Sequence, residues 1–241
     1  MNTISIELRK YSRSGVIPVL IAPGVLGLLY SIVVFTLRRE TMLSLPLSPM
    51  TILLSQLYGV VMMLNLFGIV VAVAIIFNIE FQENAIRKMT ALPISMIGIY
   101  GAKCLIISCS LFVNIVLQSI ALWYNGITYL PGGTFDMTQL VINTAYYFIV
   151  SMPVIAFMML VSSRLENIWV SLGIGVAGFI SGICMSLGGI GLFLINPFVL
   201  IMHPAISYTA ALNKTVIAIS VIETVSLIII GLIIAKQSKY E

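Results

Sequence analysis

Few residues in this sequence have the type and spacing to do chemistry. His203 is the only histidine, so a histidine-based triad or histidine metal site has no partner residue, and no metal site is expected. Cys104, Cys109 and Cys184 all lie inside apolar runs, are odd in number and form no C-x-x-C pair. They read as buried thiols rather than as a disulfide framework or zinc ligands. No G-x-x-x-x-G-K-[ST], H-E-x-x-H or G-x-S-x-G occurs, so the chain is expected to form no phosphate-binding loop and to carry no catalytic cluster. On these grounds it is expected not to be an enzyme and to bind no cofactor itself.

What remains is a set of polar groups standing singly in apolar surroundings. Glu223 lies near the middle of a long apolar run. A central acid costs roughly 2.5–3.5 kcal/mol on insertion into a bilayer, which the surrounding aliphatics, at roughly 0.3–0.6 each, outweigh. Such an acid faces protein or water. It either lines a translocation path or is a protonated or hydrogen-bonded packing residue. Asn114 and Gln118 share one helix face at i, i+4, and Asn65 sits in another apolar run; interhelical hydrogen bonding explains all three cheaply, and a place on a path is the alternative. Ser171/Gly175 and Gly178/Gly182 are small-xxx-small pairs that let helix backbones approach closely, within the chain or to a second subunit.

These residues need a membrane to make sense. Of 241 residues 60% are hydrophobic and 8% charged, and the mean hydropathy is +1.14. Soluble domains carry about a quarter charged residues, so a soluble globule is excluded, and so is disorder. Net charge is +4, but the basic residues sit in short clusters beside apolar runs. They read as topology signals rather than as a nucleic-acid surface, and no nucleic-acid partner is expected.

Six apolar segments, at about 16–37, 52–77, 97–123, 140–161, 168–195 and 216–235, each exceed the length a membrane helix needs. Helices satisfy their own backbone groups in hydrocarbon, and the alternation of a barrel strand is absent. The fold class is therefore an all-α membrane protein forming one transmembrane domain over 1–241. The first segment is too long for a signal-peptide core and no A-x-A site follows it, so it is expected to be retained. Arg9, Lys10, Arg13, Arg87, Lys88, Lys103, Arg164, Lys236 and Lys239 fall on one side; Arg38, Arg39 and Lys214 fall on the other. That bias places both termini in the cytoplasm of a plasma-membrane protein. Trp123, Tyr124 and Tyr129 mark the outer interface, and Lys103 is expected to snorkel to the inner one. The stretch Asn2–Arg13 is amphipathic, with Ile4, Leu8 and Tyr11 on one face and Glu7, Lys10 and Arg13 polar; it is expected to lie on membrane lipid.

Between the second and third segments, Phe81, Ala85, Met89 and Leu92 form an apolar stripe, and Glu83 precedes Arg87 by four residues, the favourable orientation for a helical ion pair. Pro93 ends the pattern. The spacing predicts a short amphipathic helix over 80–92, tied at both ends to spans. It either rests on the bilayer or docks on a cytosolic partner.

Glu80, Glu83, Asn84, Arg87-Lys88, Ala91-Leu92-Pro93-Ile94-Ser95 and Lys103 resemble the segment after the second span in ABC-2-type transporter permeases, with the lantibiotic-immunity and bacitracin-resistance subgroup the most similar in flavour. The resemblance implies that 80–92 is a cytosolic coupling helix whose contact residues are Phe81, Glu83, Asn84, Arg87, Lys88 and Met89. It implies a cytosolic ABC ATPase dimer carrying ATP and magnesium, a second permease subunit, identical or related, and export of an amphiphilic antimicrobial peptide. It also implies a re-entrant segment between spans five and six, where Gly188-Gly189-x-Gly191, Asn196-Pro197 and His203-Pro204 interrupt the apolar run. An ATP-independent transporter or channel using Glu223 is the alternative, and the two three-helix halves show no internal repeat that would favour it.

Overall fold

A computed structural model describes residues 3–81, 96–188, 191–206 and 212–237. Within them the chain is helical, without strands. The helices are α1 (Thr3–Arg13), α2 (Val16–Leu43), α3 (Pro49–Gln56), α4 (Tyr58–Phe81), α5 (Met96–Tyr129), α6 (Met137–Ser162), α7 (Ile168–Leu187), α8 (Pro197–Ile206) and α9 (Lys214–Gln237), with a 3-10 turn at Gly191–Ile195 before α8. Six helical stretches are long and apolar enough to cross a membrane, α3 and α4 counting as one. Connectivity brings the start of α2, the ends of α4, α6 and α9, and the starts of α5 and α7 to one end of the bundle, which α1 shares.

Local signals explain most boundaries. Gly15 adopts φ +70°, a left-handed conformation that costs glycine little, and so turns α1 away from α2. Ser48 caps α3 through its hydroxyl on the Thr51 amide with Pro49 at the first turn, and Asp136 caps α6 on the amides of Thr138 and Gln139. Helices α2 and α5 run well past the expected ends, to Leu43 and Tyr129. Arg38, Arg39 and Glu40 are good helix formers, and hydropathy marks where a helix leaves hydrocarbon rather than where it stops. Arg39 lies 5.7 Å from the centre of the Tyr129 ring, a cation–π contact between the extensions of α2 and α5.

Two interruptions matter for position. The second span is broken at Leu57, between α3 and α4. There the Tyr147 hydroxyl donates to the Leu54 carbonyl at 3.1 Å, the group that an unbroken helix would have bonded to Tyr58. Tyr58 stacks on Tyr147, ring centroids 4.1 Å apart, and donates to the Ile201 carbonyl of α8. The fifth segment does not run straight to 195: α7 ends at Leu187, just before the glycines, and after the 3-10 turn α8 is inserted into the bundle, with Phe198, Leu200, Ile201 and Met202 buried. The small residues of α7 accommodate this insertion. A Cβ at Gly178 would overlap the Phe198 ring, and one at Gly182 would fall 2.9 Å from Phe198 Cβ.

The cysteines depart from expectation. Cys109 and Cys184 are exposed on the bundle surface and Cys104 is half-buried; all three are free. In a membrane helix an apolar run names a lipid-facing side as readily as a core.

Candidate functional site

Four charged residues converge at one place, where α1 meets the end of α4 and the start of α5. Glu7, Lys10 and Tyr11 sit at i, i+3 and i+4 on α1, one face of a helix. Glu80 lies in the last described turn of α4 and Lys103 two turns into α5. Lys103 Nζ lies 2.8 Å from Glu80 Oε1 and 3.6 Å from Glu7 Oε2. It also reaches the Ile76 carbonyl at 3.5 Å and lies 4.9 Å from the centre of the Phe77 ring. Lys10 Nζ donates to the same Glu80 oxygen at 3.0 Å and sits 3.9 Å from Glu7. The Tyr11 hydroxyl donates to Glu7 Oε2 at 2.6 Å.

Two cations and two carboxylates therefore cancel within one cluster. Burial of charge is tolerated only when it is paired and hydrogen-bonded, and here Lys103 and Glu7 are each 1% exposed. Lys103 thus does not snorkel: its ammonium is sealed inside the protein. The face of α1 is corrected as well. Glu7 and Tyr11 are buried while Ile4 and Leu8 are 39% and 46% exposed, so the helix docks by its acid and its phenol and turns its aliphatic side outward, where lipid would lie. Burial, then the neighbouring Glu7 carboxylate, push the Tyr11 phenol well above its ordinary range. It stays protonated and remains the donor to Glu7 at every ordinary pH.

The sequence singled out Glu80 through the resemblance and Lys103 as an interfacial lysine as well, and missed Glu7 and Lys10 as their partners. An E-x-x-K-Y pattern on a short amphipathic helix reads as a solvated face until its tertiary contacts are known.

A second constellation lies deeper. Asn65 and Gln118 exchange two hydrogen bonds, 2.9 and 2.8 Å. Gln118 also donates to the Pro23 carbonyl at 3.1 Å, Asn114 to the Leu20 carbonyl at 2.8 Å, and Asn125 to the Ser31 carbonyl at 2.9 Å. Asn114, Gln118 and Asn125 line one face of α5 and clamp α2. Pro23 has no N–H and so disturbs the α2 ladder at the Val19 carbonyl, next to the Leu20 carbonyl that Asn114 holds. The close approach depends on glycine: a Cβ on Gly24 would fall 2.5 Å from Asn114 Oδ1, and one on Gly27 would fall 2.6 Å from Gln118 Nε2. Asn65, Asn114 and Gln118 thus hold α2, α4 and α5 together.

Glu223 is half-buried in α9, and its Oε2 is buried without a hydrogen-bond partner. Of the small residues in α7, Gly175 faces Val70, Gly178 and Gly182 face Phe198, and the Ser171 hydroxyl bonds to that of Ser162 at 2.5 Å. This face is filled from within the chain. His203 lies half-buried in α8, its Nδ1 without a hydrogen-bond partner. No group of three or more metal-ligating side chains occurs among the described residues. Of the expected coupling residues, Phe81 packs against the main core; Glu83, Asn84, Arg87, Lys88 and Met89 lie outside the described residues.

Six apolar helices with paired charge confined to one end define a multi-pass membrane protein. Residues 3–183 match the family model described as ABC-2 family transporter protein, and the chain belongs to that family. The match runs from the first residue of α1 almost to the end of α7, so the helix that carries Glu7, Lys10 and Tyr11 is part of the family unit. Membership makes the chain a membrane permease of an ABC transporter and implies an ABC ATPase as its partner. Comparison with curated proteins and with solved structures found no match.

Proposed function

We propose that the chain is the membrane half of an ATP-driven exporter that removes amphiphilic antimicrobial peptides, of the lantibiotic or bacitracin type, from the plasma membrane. Two permease subunits, identical or related, stand over a cytosolic ATPase dimer that carries ATP and magnesium, with both termini of each permease in the cytoplasm. The observation that carries the coupling part of this reading is the Glu80–Lys103 pair. It joins the helix that enters the segment 82–95 to the helix that leaves it, and Lys10 ties α1 to the same carboxylate.

A displacement applied to that segment therefore reaches α1, α4 and α5 as one body rather than bending one span against another. Closure of the ATPases on nucleotide supplies the displacement, and the bundle answers by shifting between two arrangements. Phe81 anchors the segment to the core, while Glu83, Asn84, Arg87, Lys88 and Met89 present the contact to the ATPase. Asn65, Asn114 and Gln118 are already engaged in holding helices together. Glu223 is the polar group left for the transport path.

The test is reconstitution with a cognate ABC ATPase. The tagged chain recovers that ATPase, and joint replacement of Phe81, Arg87 and Met89 by Ala abolishes peptide-stimulated ATP hydrolysis while leaving the amount of folded permease unchanged. Normal export by the triple variant would overturn the coupling role. Unaltered peptide sensitivity of cells lacking the chain would overturn the substrate class.

A further inference from the structure

A cavity of about 450 Å³ opens beside the charge cluster, between the ends of α4, α5 and α9 and the α6–α7 connection. That is within the range of about 300–1,000 Å³ typical of small-molecule sites, and the coupling role engages only the wall that Glu80, Phe81 and Lys103 form. Hydrocarbon from Phe77, Ile99 and Ala235 lines part of it, and the paired Glu80 and Lys103 line another part. Three further polar residues, Tyr100, Arg164 and Glu166, line it. Tyr100 lines it, is 4% exposed, and has a buried hydroxyl with no hydrogen-bond partner, a group that gains from an acceptor brought by a ligand. Gly231, on the facing helix, leaves room for that hydroxyl: a Cβ there would overlap it. Arg164 and Glu166 line the mouth, both exposed and neither in an ion pair among the described residues.

The clustered charge of this region is already balanced, since Glu7 and Glu80 together face Lys10 and Lys103. Among the described lining residues the unpaired charges are thus one guanidinium and one carboxylate at the rim, and Tyr100 carries the unsatisfied donor. A simple anion would meet Glu166 as well as Arg164, and a plain hydrocarbon would leave Tyr100 unsatisfied. An amine-bearing phospholipid satisfies all three.

We propose that this cavity is a binding site for a zwitterionic, ethanolamine-type glycerophospholipid. The phosphate bridges to Arg164, the ammonium faces Glu166, an ester oxygen accepts from Tyr100, and the chains begin along Phe77, Ile99 and Ala235. The site lies in the leaflet on the α1 side, which is the inner one on the orientation proposed above; the binding itself does not depend on that orientation.

Native mass spectrometry of the full chain in detergent, titrated separately with phosphatidylethanolamine, phosphatidylglycerol and diacylglycerol, tests this. Phosphatidylethanolamine is retained at one copy per chain, at least several-fold over the other two. Arg164→Gln lowers its retention about tenfold, Tyr100→Phe several-fold, and Glu166→Gln removes the preference over phosphatidylglycerol. Ala235→Phe fills the chamber and displaces the lipid without touching a polar group, which guards against a polar variant that fails to fold. Equal retention of diacylglycerol would reduce the site to an apolar crevice and overturn the proposal. So would preference for phosphatidylglycerol, or binding indifferent to Arg164→Gln. Loss of peptide export with lipid retention intact would count against the transport reading alone.

Discussion

Replacing Lys103 by Met removes one charge from a set of four, three of them buried. Methionine keeps the length of the side chain and its packing on Phe77. Two carboxylates then face one ammonium, Lys10, at 3.0 Å from Glu80 and 3.9 Å from Glu7. Glu7, 1% exposed, is left with the Tyr11 hydroxyl and a distant cation. Breaking a buried pair from one side costs about 3–5 kcal/mol, because the stranded charge remains desolvated. In a chain of this size that is a fall of about 6–20 °C in apparent melting temperature. Replacing charges on both sides is far cheaper. Lys103→Met with Glu7→Gln leaves Glu80 with Lys10, and the amide oxygen introduced at position 7 still accepts from Tyr11, so the double variant should recover at least half of the loss. Thermal unfolding in one detergent at a fixed scan rate measures both, and trypsin cleavage after Arg9 and Arg13 reports whether α1 has come away. A single variant costing under about 1 kcal/mol, or a double variant as unstable as the sum of its parts, would refute the view that these charges are closed off from water and compensate one another.

Other expectations follow from the same geometry. Tyr11 has its ionisation pushed above the ordinary value of 10, so its contribution is intact below pH 10 and is lost as pH rises beyond it, where the unfolded chain gives up a proton that the folded chain retains. Stability should fall above about pH 10, and Tyr11→Phe should flatten that fall in melting curves taken across alkaline pH. Gly24→Leu must force Asn114 and α2 apart and should cost about 1–3 kcal/mol, whereas Gly59→Ala, with nothing within 4 Å, should be silent or slightly stabilising by the same melting assay. Asn65→Leu removes a two-bond amide pair and should cost about 0.6–1.7 kcal/mol, the measured scale of interhelical hydrogen bonds in membranes; a larger loss would mean the amide also has a role outside packing. Tyr147→Phe frees the Leu54 carbonyl at the break in the second span and should cost about 0.5–1.5 kcal/mol, with faster hydrogen exchange expected around 54–58.

Much of the fold was legible because membrane insertion is a one-dimensional selection. About twenty apolar residues in a row must be a helix in hydrocarbon, whatever surrounds them, and all six spans could be placed from hydropathy. Their ends were less legible, since α2 and α5 continue helically beyond the apolar run where no proline or cap stops them. The break at Leu57 was invisible, because its cause is a tyrosine hydroxyl far away in sequence and no proline marks it. By contrast Gly188 and Pro197 announced the end of α7 and the start of α8 in the residue types themselves.

The site divides in the same way. Asn65, Asn114 and Gln118 were recognisable as interhelical hydrogen-bonders, because an amide in an apolar helix has little else to do. Residue order by itself decided that this is an all-helical membrane protein, and its likeness to one permease family at the segment after the second span was already readable. Only the tertiary structure decided that Lys103 is sealed rather than solvent-seeking, that α1 docks through Glu7 and Tyr11, and that the glycines of α7 are filled by α8. The physical reason is that hydrophobicity acts on each segment separately, whereas the cost of a buried charge depends on which partners other segments bring to it.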